Sequence, residues 1–466
     1  MLYLLPCGSK HFKNSLSISV MTSKRQTHSL IDFSDVKSLG ATFQEKLNEL
    51  FALNRSLTGR SNRLTLDSIS QWTELQMIET PSGTKAFDWQ VPQEWQLNAA
   101  YIEDAEGNRL IDIANNPLHV VSYSIECDIT LSFSELEDHL HTHPNLDQAI
   151  PYRTSYYKPA WGFCVTHSQL SLLRKAAQPL HAVIESTFHD GYMTSAEAIH
   201  EGASKREVLI SSYICHPAMA NDSLSGVLLA AMLSRYVSEL ANRRSTYRFV
   251  FVPETIGAIS YLASNVEQAK NIDFGLQITT VGGPGKFQIK SSFENSHSIN
   301  RIISGVLKQN GKPFSTLPFD IHGSDERQYS SPGFRINMAT LAKDIYYSYP
   351  QYHTSLDNLD FVNGEQIAET FILYTKIIDE IEKRRVFVRT EPHGEPMLSR
   401  HDLYNLFGGA LLPGSDISEL DLVLGLLFHT DGRLSTSDIA VIMNQNENLI
   451  LETSLMLTSK NLLLEI

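Results

Sequence analysis

Cysteine is scarce in this chain. Four residues, Cys7, Cys127, Cys164 and Cys215, stand far apart among 466, with no CxxC pair. That spacing speaks against a disulfide framework and suits a reducing cytoplasm. Long apolar runs are also missing. Nothing approaches the roughly 20 residues needed to span a bilayer, and the opening Met1-Leu-Tyr-Leu-Leu-Pro-Cys has too short an apolar core, without a basic flank, for a signal peptide. Positive charge is in deficit as well: 38 Lys and Arg face 52 Asp and Glu, a formal charge of −14. Such a surface repels phosphate backbones and anionic lipid, so neither nucleic acid nor a membrane is expected as a partner.

What is present is a long, ordinarily apolar chain, enough for two to four domains. Residues 1–30 read as a loose polar leader, with Met21 a second candidate start. Residues 34–75 carry helical spacing, as in Leu39, Phe43, Leu47 and Leu50. From 77 to 150 short Val-, Ile-, Tyr- and Trp-rich segments alternate with turn signals such as Pro81-Ser-Gly, the mark of a small β-rich unit. Beyond 150 strands and helices alternate: strands from Glu207, Tyr247 and Phe274, helices over 223–240, 257–265, 296–309 and 364–384. That order predicts an α/β fold with a mainly parallel sheet flanked by helices. Ligand sites in such sheets lie at the carboxyl ends of strands.

Three segments fall at those ends. In Ile214-Cys-His-Pro-Ala-Met-Ala-Asn-Asp-Ser-Leu-Ser-Gly, His216 ends a strand and Asp222 precedes a helix. Together they offer two of the ligands a catalytic zinc requires; alone, Asp222 also reads as a helix N-cap and His216 as a turn residue. In Phe249-Val-Phe-Val-Pro-Glu-Thr-Ile-Gly, Glu254 closes an apolar strand, where a carboxylate is costly unless paired or working. In Tyr349-Pro-Gln-Tyr-His-Thr-Ser-Leu-Asp, His353 lies in a loop, with Asp357 close enough in sequence to orient a histidine ring.

The order His…Ala-Asn-Asp-x-x-Ser-Gly…Pro-Glu-x-x-Gly…His-Thr-x-x-Asp resembles zinc exopeptidases of the aminopeptidase and glutaminyl cyclase type. More closely, Pro81-Ser-Gly-Thr-Lys-Ala-Phe-Asp-Trp-Gln-Val-Pro-Gln-Glu-Trp, Ile150-Pro-Tyr-Arg-Thr-Ser-Tyr-Tyr, Trp161-Gly-Phe-Cys and Ser324-Asp-Glu-Arg-Gln-Tyr resemble the aminopeptidase-like domain proteins associated with bacterial polysaccharide biosynthesis. The resemblance implies a catalytic domain from 31–76 and 151–390, a β-rich insert at 77–150 and a winged-helix-like module at 400–466. It matches His216, Asp222 and His353 to metal ligands and Glu254 to the general base. Two departures matter. Thr255 stands where the two-metal enzymes have a ligating Glu, and Thr279-Thr-Val-Gly-Gly holds no ligating Asp. One zinc per chain is therefore expected.

Asp325 and Arg327 are candidate substrate groups: Arg327 for an anion, Asp325 for an α-amine, with a surface ion pair as the alternative. Tyr346, Tyr347 and Tyr352 are candidate pocket walls or packing. His119, His139, His141 and His143 sit in the insert, the last three at a helix end that favours them anyway, so no second metal is expected there. From 400 onward Arg400, Arg433 and Lys460 face nine acidic residues, which excludes DNA binding and leaves docking or homo-oligomerisation. The expected function is zinc-dependent hydrolysis of an amide in a peptide or N-acylated amino sugar. The alternatives are a cyclase or acyl transferase at the same metal, or a non-catalytic scaffold.

Overall fold

The Val36–Leu50 helix starts where Asp35 caps it, its Oδ1 accepting the Lys37 and Ser38 amides at 3.0 and 3.2 Å. Its apolar stripe, Leu39, Phe43, Leu47 and Leu50, is buried and packs on the long helix Gly364–Glu382. This computed structural model describes residues 31–404 and 419–466; the polar leader of residues 1–30 lies outside them.

The body is built on an eight-stranded sheet. Its strands run, in spatial order, Gln76–Pro81, Tyr192–His200, Thr246–Val252, Glu207–Tyr213, Ile272–Gln277, Asn337–Ala342, Phe287–Lys290 and Phe314–Leu317. The four central strands are parallel to one another. Toward the margins the direction reverses, with antiparallel pairings at 76–81/192–200, 192–200/246–252 and 287–290/337–342. The sheet is thus parallel through its centre, as expected, and mixed toward its margins, where 287–290 and 314–317 pair parallel to each other but opposite to the central strands. Thr246–Val252, Glu207–Tyr213 and Asn337–Ala342 are buried along their whole length, as strands covered on both faces must be. Leu209, Val250, Val252 and Met338 pack against Ala258, Tyr261 and Leu262 of the Ile256–Ser264 helix. The alternate residues face the other way, toward the Gly226–Glu239 helix, which packs with Gly364–Glu382.

Gly226 lets its helix approach the sheet closely. A Cβ there would come within 2.4 Å of the Ile278 carbonyl oxygen and 2.7 Å of the Thr279 Cα. Both neighbours are backbone and cannot give way cheaply. Gly226→Ala is expected to lower stability by about 1–3 kcal/mol, read as a lower urea midpoint at unchanged slope.

The small β-rich unit is longer than the sequence pattern indicates. Its sheet runs Arg109–Asp112, Glu94–Glu103, Leu180–His189, Cys127–Leu131, all antiparallel. The strand at 180–189 therefore belongs to it, while 76–81 belongs to the main sheet. The unit leaves and re-enters the body through the adjacent strands 76–81 and 192–200. Its core, with Trp95, Ile102, Phe163 and Ile184, continues into Cys215 and Ile256. Those two residues flank His216 and Glu254, so the unit roofs the ends of two central strands.

After residue 385 a three-stranded antiparallel sheet, with Val386–Arg389 between Asp431–Ser435 and Leu463–Glu465, packs with three helices. Phe387, Leu426, Ile439, Ile450 and Leu457 form its separate core. Ser435 and Asp438 make a capping box on the middle helix. Among the described residues no helix is long and apolar enough to cross a membrane.

Candidate metal centre

Central parallel strands deliver the site from their carboxyl ends, as the fold rule requires. Glu207–Tyr213 runs on to His216, and its neighbour Thr246–Val252 runs on to Glu254. The pairing continues past the strand ends, the Ile214 amide donating to the Val252 carbonyl at 3.0 Å and the Glu254 amide to Cys215 Sγ at 3.2 Å. Asp222 lies in the turn of residues 220–225 ahead of the Gly226 helix. His353 comes from the loop before Gly364–Glu382.

His353 Nε2 stands 3.0 Å from Asp222 Oδ2, and His216 Nε2 stands 3.9 Å from the same oxygen. Glu254 Oε2 is 3.7 Å from His216 Nε2. One donor atom from each of His216, Asp222 and His353 lies within 4.8 Å of the other two. Ligands held at about 2.0 Å around a tetrahedral ion stand about 3.3 Å apart, so this triangle has the size a zinc ion fills. Asp222 Oδ2 and His353 Nε2 are buried and face each other at 3.0 Å in a geometry that makes no aligned hydrogen bond. A buried pair held close without that alignment leaves room for a further group to satisfy both. The residues present fit a divalent cation.

The electrostatics agree. Burial pulls the His216 imidazole down to about 4, which keeps it in the neutral, ligating form. Burial alone would raise Asp222, but His216 and His353 lower its carboxyl to about 2. Glu254 keeps 27 % of its side chain exposed. Desolvation and the Asp222 charge push it up to about 7. Backbone in the left-handed region gathers here: Ala218, Thr255, Thr280 and His353 have φ of 42°, 65°, 50° and 55°. For the β-branched Thr255 and Thr280 that conformation is strained, and strain of this sort collects at functional sites.

The aminopeptidase-like resemblance can be weighed against relatives. A Clostridium acetobutylicum protein described as a polysaccharide biosynthesis protein with an aminopeptidase-like domain is 38% identical over 402 residues, covering 86% of this chain and 91% of the relative. The chain belongs to this aminopeptidase-like family. The family model described as Domain of unknown function (DUF4910) matches residues 44–384. A C. acetobutylicum crystal structure described as a peptidase has 34% identity and a TM-score of 0.75, over 93% of this chain and 98% of that one. A zinc aminopeptidase from Bacillus subtilis shares the fold at 11% identity, with a TM-score of 0.55 over 76% of this chain and 96% of that one.

Other candidates fall differently in this aminopeptidase-like chain. Asp357 does not orient a histidine ring. It is wholly buried and accepts the Asn221 and Asp222 amides at 2.6 and 3.0 Å and the Tyr349 hydroxyl at 3.1 Å, so it fixes the backbone that presents Asp222. Asp357→Ala would leave two buried amides unpaired, at a cost of about 1–3 kcal/mol each, measured as a lower denaturation midpoint.

Asp325 is also wholly buried. Its Oδ1 accepts the Thr255 amide at 2.7 Å, which places it behind Glu254 as a brace for the strained turn rather than at the opening. Arg327 is exposed, with one donor on the Ile321 carbonyl at 3.3 Å. Tyr346 is buried and bonds to Glu326, whereas the Tyr352 ring stacks on His353 at 3.9 Å. In the insert His139 stacks on Trp161 at 3.7 Å and His119 pairs with the Cys164 carbonyl. Both metal-competent clusters among the described residues contain His216, and neither includes an insert histidine.

Two residues of the site escaped sequence reasoning. Arg55 is buried to 2 %, its Nε donating to the His216 carbonyl at 2.8 Å and Nη1 to that of Leu50 at 2.6 Å. The signal was there: an arginine in Asn54-Arg-Ser-Leu-Thr-Gly, between two apolar-faced helices. Tyr213 donates its hydroxyl to Asp222 Oδ1 and lies 2.7 Å from Thr279 Oγ1. Inside an apolar strand it read as core, and nothing local distinguishes it.

Proposed function

We propose that this protein is a single-zinc hydrolase that cleaves a terminal amide, in a peptide or an N-acylated amino sugar. The observation that supports the reading is the convergence of three side chains, with His353 Nε2 at 3.0 Å and His216 Nε2 at 3.9 Å from Asp222 Oδ2. His216, Asp222 and His353 would hold the ion, which when bound supplies Lewis-acid activation of water and of the scissile carbonyl. By the family resemblance, Thr255 and the carboxylate-free stretch Thr279-Thr-Val-Gly-Gly stand where two-metal enzymes place ligands, which supports a count of one.

Glu254 acts as the base. Its Oε2 takes a proton from the attacking water as the carbon–oxygen bond forms, and returns it to the nitrogen as the carbon–nitrogen bond breaks. Tyr213 and Asp357 hold Asp222 from its side chain and its backbone, and Tyr352 holds the His353 ring flat. Asp325 braces the Thr255 turn that carries Glu254. Arg327 receives an anionic group of the substrate from solvent. The relative's description names both polysaccharide biosynthesis and an aminopeptidase-like domain, and both substrate classes are kept on that ground. We read the segment 400–466 as a winged-helix-like module whose excess of acidic residues favours docking or self-association in the cytoplasm over DNA.

Incubation with aminoacyl amides and N-acylated amino sugars in ¹⁸O-labelled water tests this. One label is expected in the released carboxylate, and activity should vanish with chelator and return with zinc. Product without label would establish cyclase or transferase chemistry instead.

A further inference from the structure

A cavity of about 1220 Å³ opens where the body meets the module that follows residue 385. It lies at the amino ends of the central parallel strands: Arg206 precedes Glu207–Tyr213, and Ile272 and Asn337 open two others. His216 and Glu254 leave the carboxyl ends, and a seven-residue strand keeps the two places about 20 Å apart. The volume exceeds the roughly 300–1,000 Å³ of a common small-molecule site. Nothing in the metal centre accounts for it.

Seven of the lining side chains are Lys or Arg and five are Asp or Glu, in a chain whose formal charge is −14. The acids are already engaged. Asp273 is held by Arg206 at 2.5 Å and Arg384 at 2.9 Å, Glu465 by Arg244 at 2.5 Å, and Asp438 by Arg301. Glu294 accepts the Asn337 side-chain amide at 3.0 Å, and Asp431 the Arg433 backbone amide at 2.8 Å. Three cations are left over. Arg206 donates to the Gly432 carbonyl, which brings Lys205 and Arg433, the next residues on either side of that bond, to one wall. Both are exposed, as is Arg335, whose guanidinium lies over the Phe293 ring at 5.4 Å. None of the three has an ion pair among the described residues.

The amino end of the Ser298–Gln309 helix enters the same cavity, and its dipole favours an anion there. Ser298, in the first turn, lines the cavity and is 5 % exposed, and its Oγ has no hydrogen-bond partner among the described residues. A buried hydroxyl in that state calls for a group from outside the chain. The remaining wall is mixed, with Phe334, Val441 and Ile442 beside Asn271 and Asn337. A hydrocarbon tail would need a wall of the first kind alone, and a bare phosphate would leave most of the space empty. Unpaired cations at a helix amino end suit a diphosphate, and a mixed wall suits a flat base with ring nitrogens and carbonyls.

We infer that this cavity is a binding site for a nucleoside diphosphate, seated between body and module. The site is separate from the metal centre and independent of the proposed amide hydrolysis.

Calorimetric titration of the full-length protein with ADP, UDP, inorganic phosphate, adenosine, uridine and geranyl diphosphate tests it. One nucleoside diphosphate is expected to bind per chain, at least about tenfold tighter than phosphate, its own nucleoside or geranyl diphosphate. Arg335→Ala, Arg433→Ala and Ser298→Ala should each weaken that binding about three- to tenfold, with urea midpoints at the parent value for the two exposed arginines. Lys175→Ala, at an exposed position outside the cavity, is the control and should change nothing. His353→Ala should bind the nucleotide as the parent does, which separates failure of this site from failure of the hydrolase reading. No binding of either nucleotide at millimolar concentration overturns the site, and so does binding that both arginine variants leave unchanged. Phosphate, nucleoside or geranyl diphosphate binding as tightly as the nucleotide overturns the assignment of its ligand.

Discussion

Glu254→Gln is expected to cut amide turnover by roughly 10²–10⁴-fold while one zinc per chain remains bound. The substitution is nearly isosteric, and Glu254 is not one of the three groups that meet at Asp222 Oδ2, so the ligand triangle is left intact. It removes only the ability to take a proton, 3.7 Å from the His216 ring. Two measurements separate the reaction from the site: steady-state rates for turnover and elemental analysis for the ion. Turnover within tenfold of the parent would show that another group carries the proton. Loss of the ion would move Glu254 from the base to the ligand set.

The second large effect is expected at His353. Its side chain is one-third exposed and sits in a loop anchored through backbone, the Tyr152 amide donating to the His353 carbonyl at 2.8 Å. His353→Ala should therefore fold. With two ligands left it should lose the ion on dialysis, and turnover with it. Stability gives an independent reading. An ion present at 100 to 1,000 times its dissociation constant stabilises the folded state by about 2.7–4.1 kcal/mol. The parent should melt higher with zinc than with chelator, and the variant should melt alike in both. A zinc-dependent shift of parental size in His353→Ala would remove His353 from the centre.

The site and the fold were legible to different depths. His216 and Glu254 could be placed because a polar residue at the end of an apolar strand is conspicuous, and because alternating strands and helices fix which end of the sheet bears ligands. Asp357 was visible but its work was not. Sequence distance suggested a histidine partner, whereas folding brings it under the Asn221 and Asp222 amides. The sequence offers Asp325 as a substrate group for an α-amine, or as half of a surface ion pair, and the structure instead seals it beneath Thr255. Arg55 and Tyr213 were hidden by their neighbours, since a buried polar group is known only by what it bonds to.

The sequence alone determined the periodicities, and with them the helices, the central strands and the residues able to bind a metal, because hydrophobic spacing and strand-end chemistry are local. Tertiary structure decided the rest. It turned the marginal strands antiparallel, drew 180–189 into the small sheet, and carried the His353 loop across to Asp222. Those outcomes depend on which surfaces exclude water together and which buried polar atoms find partners, and no single stretch of chain contains both halves of such a contact.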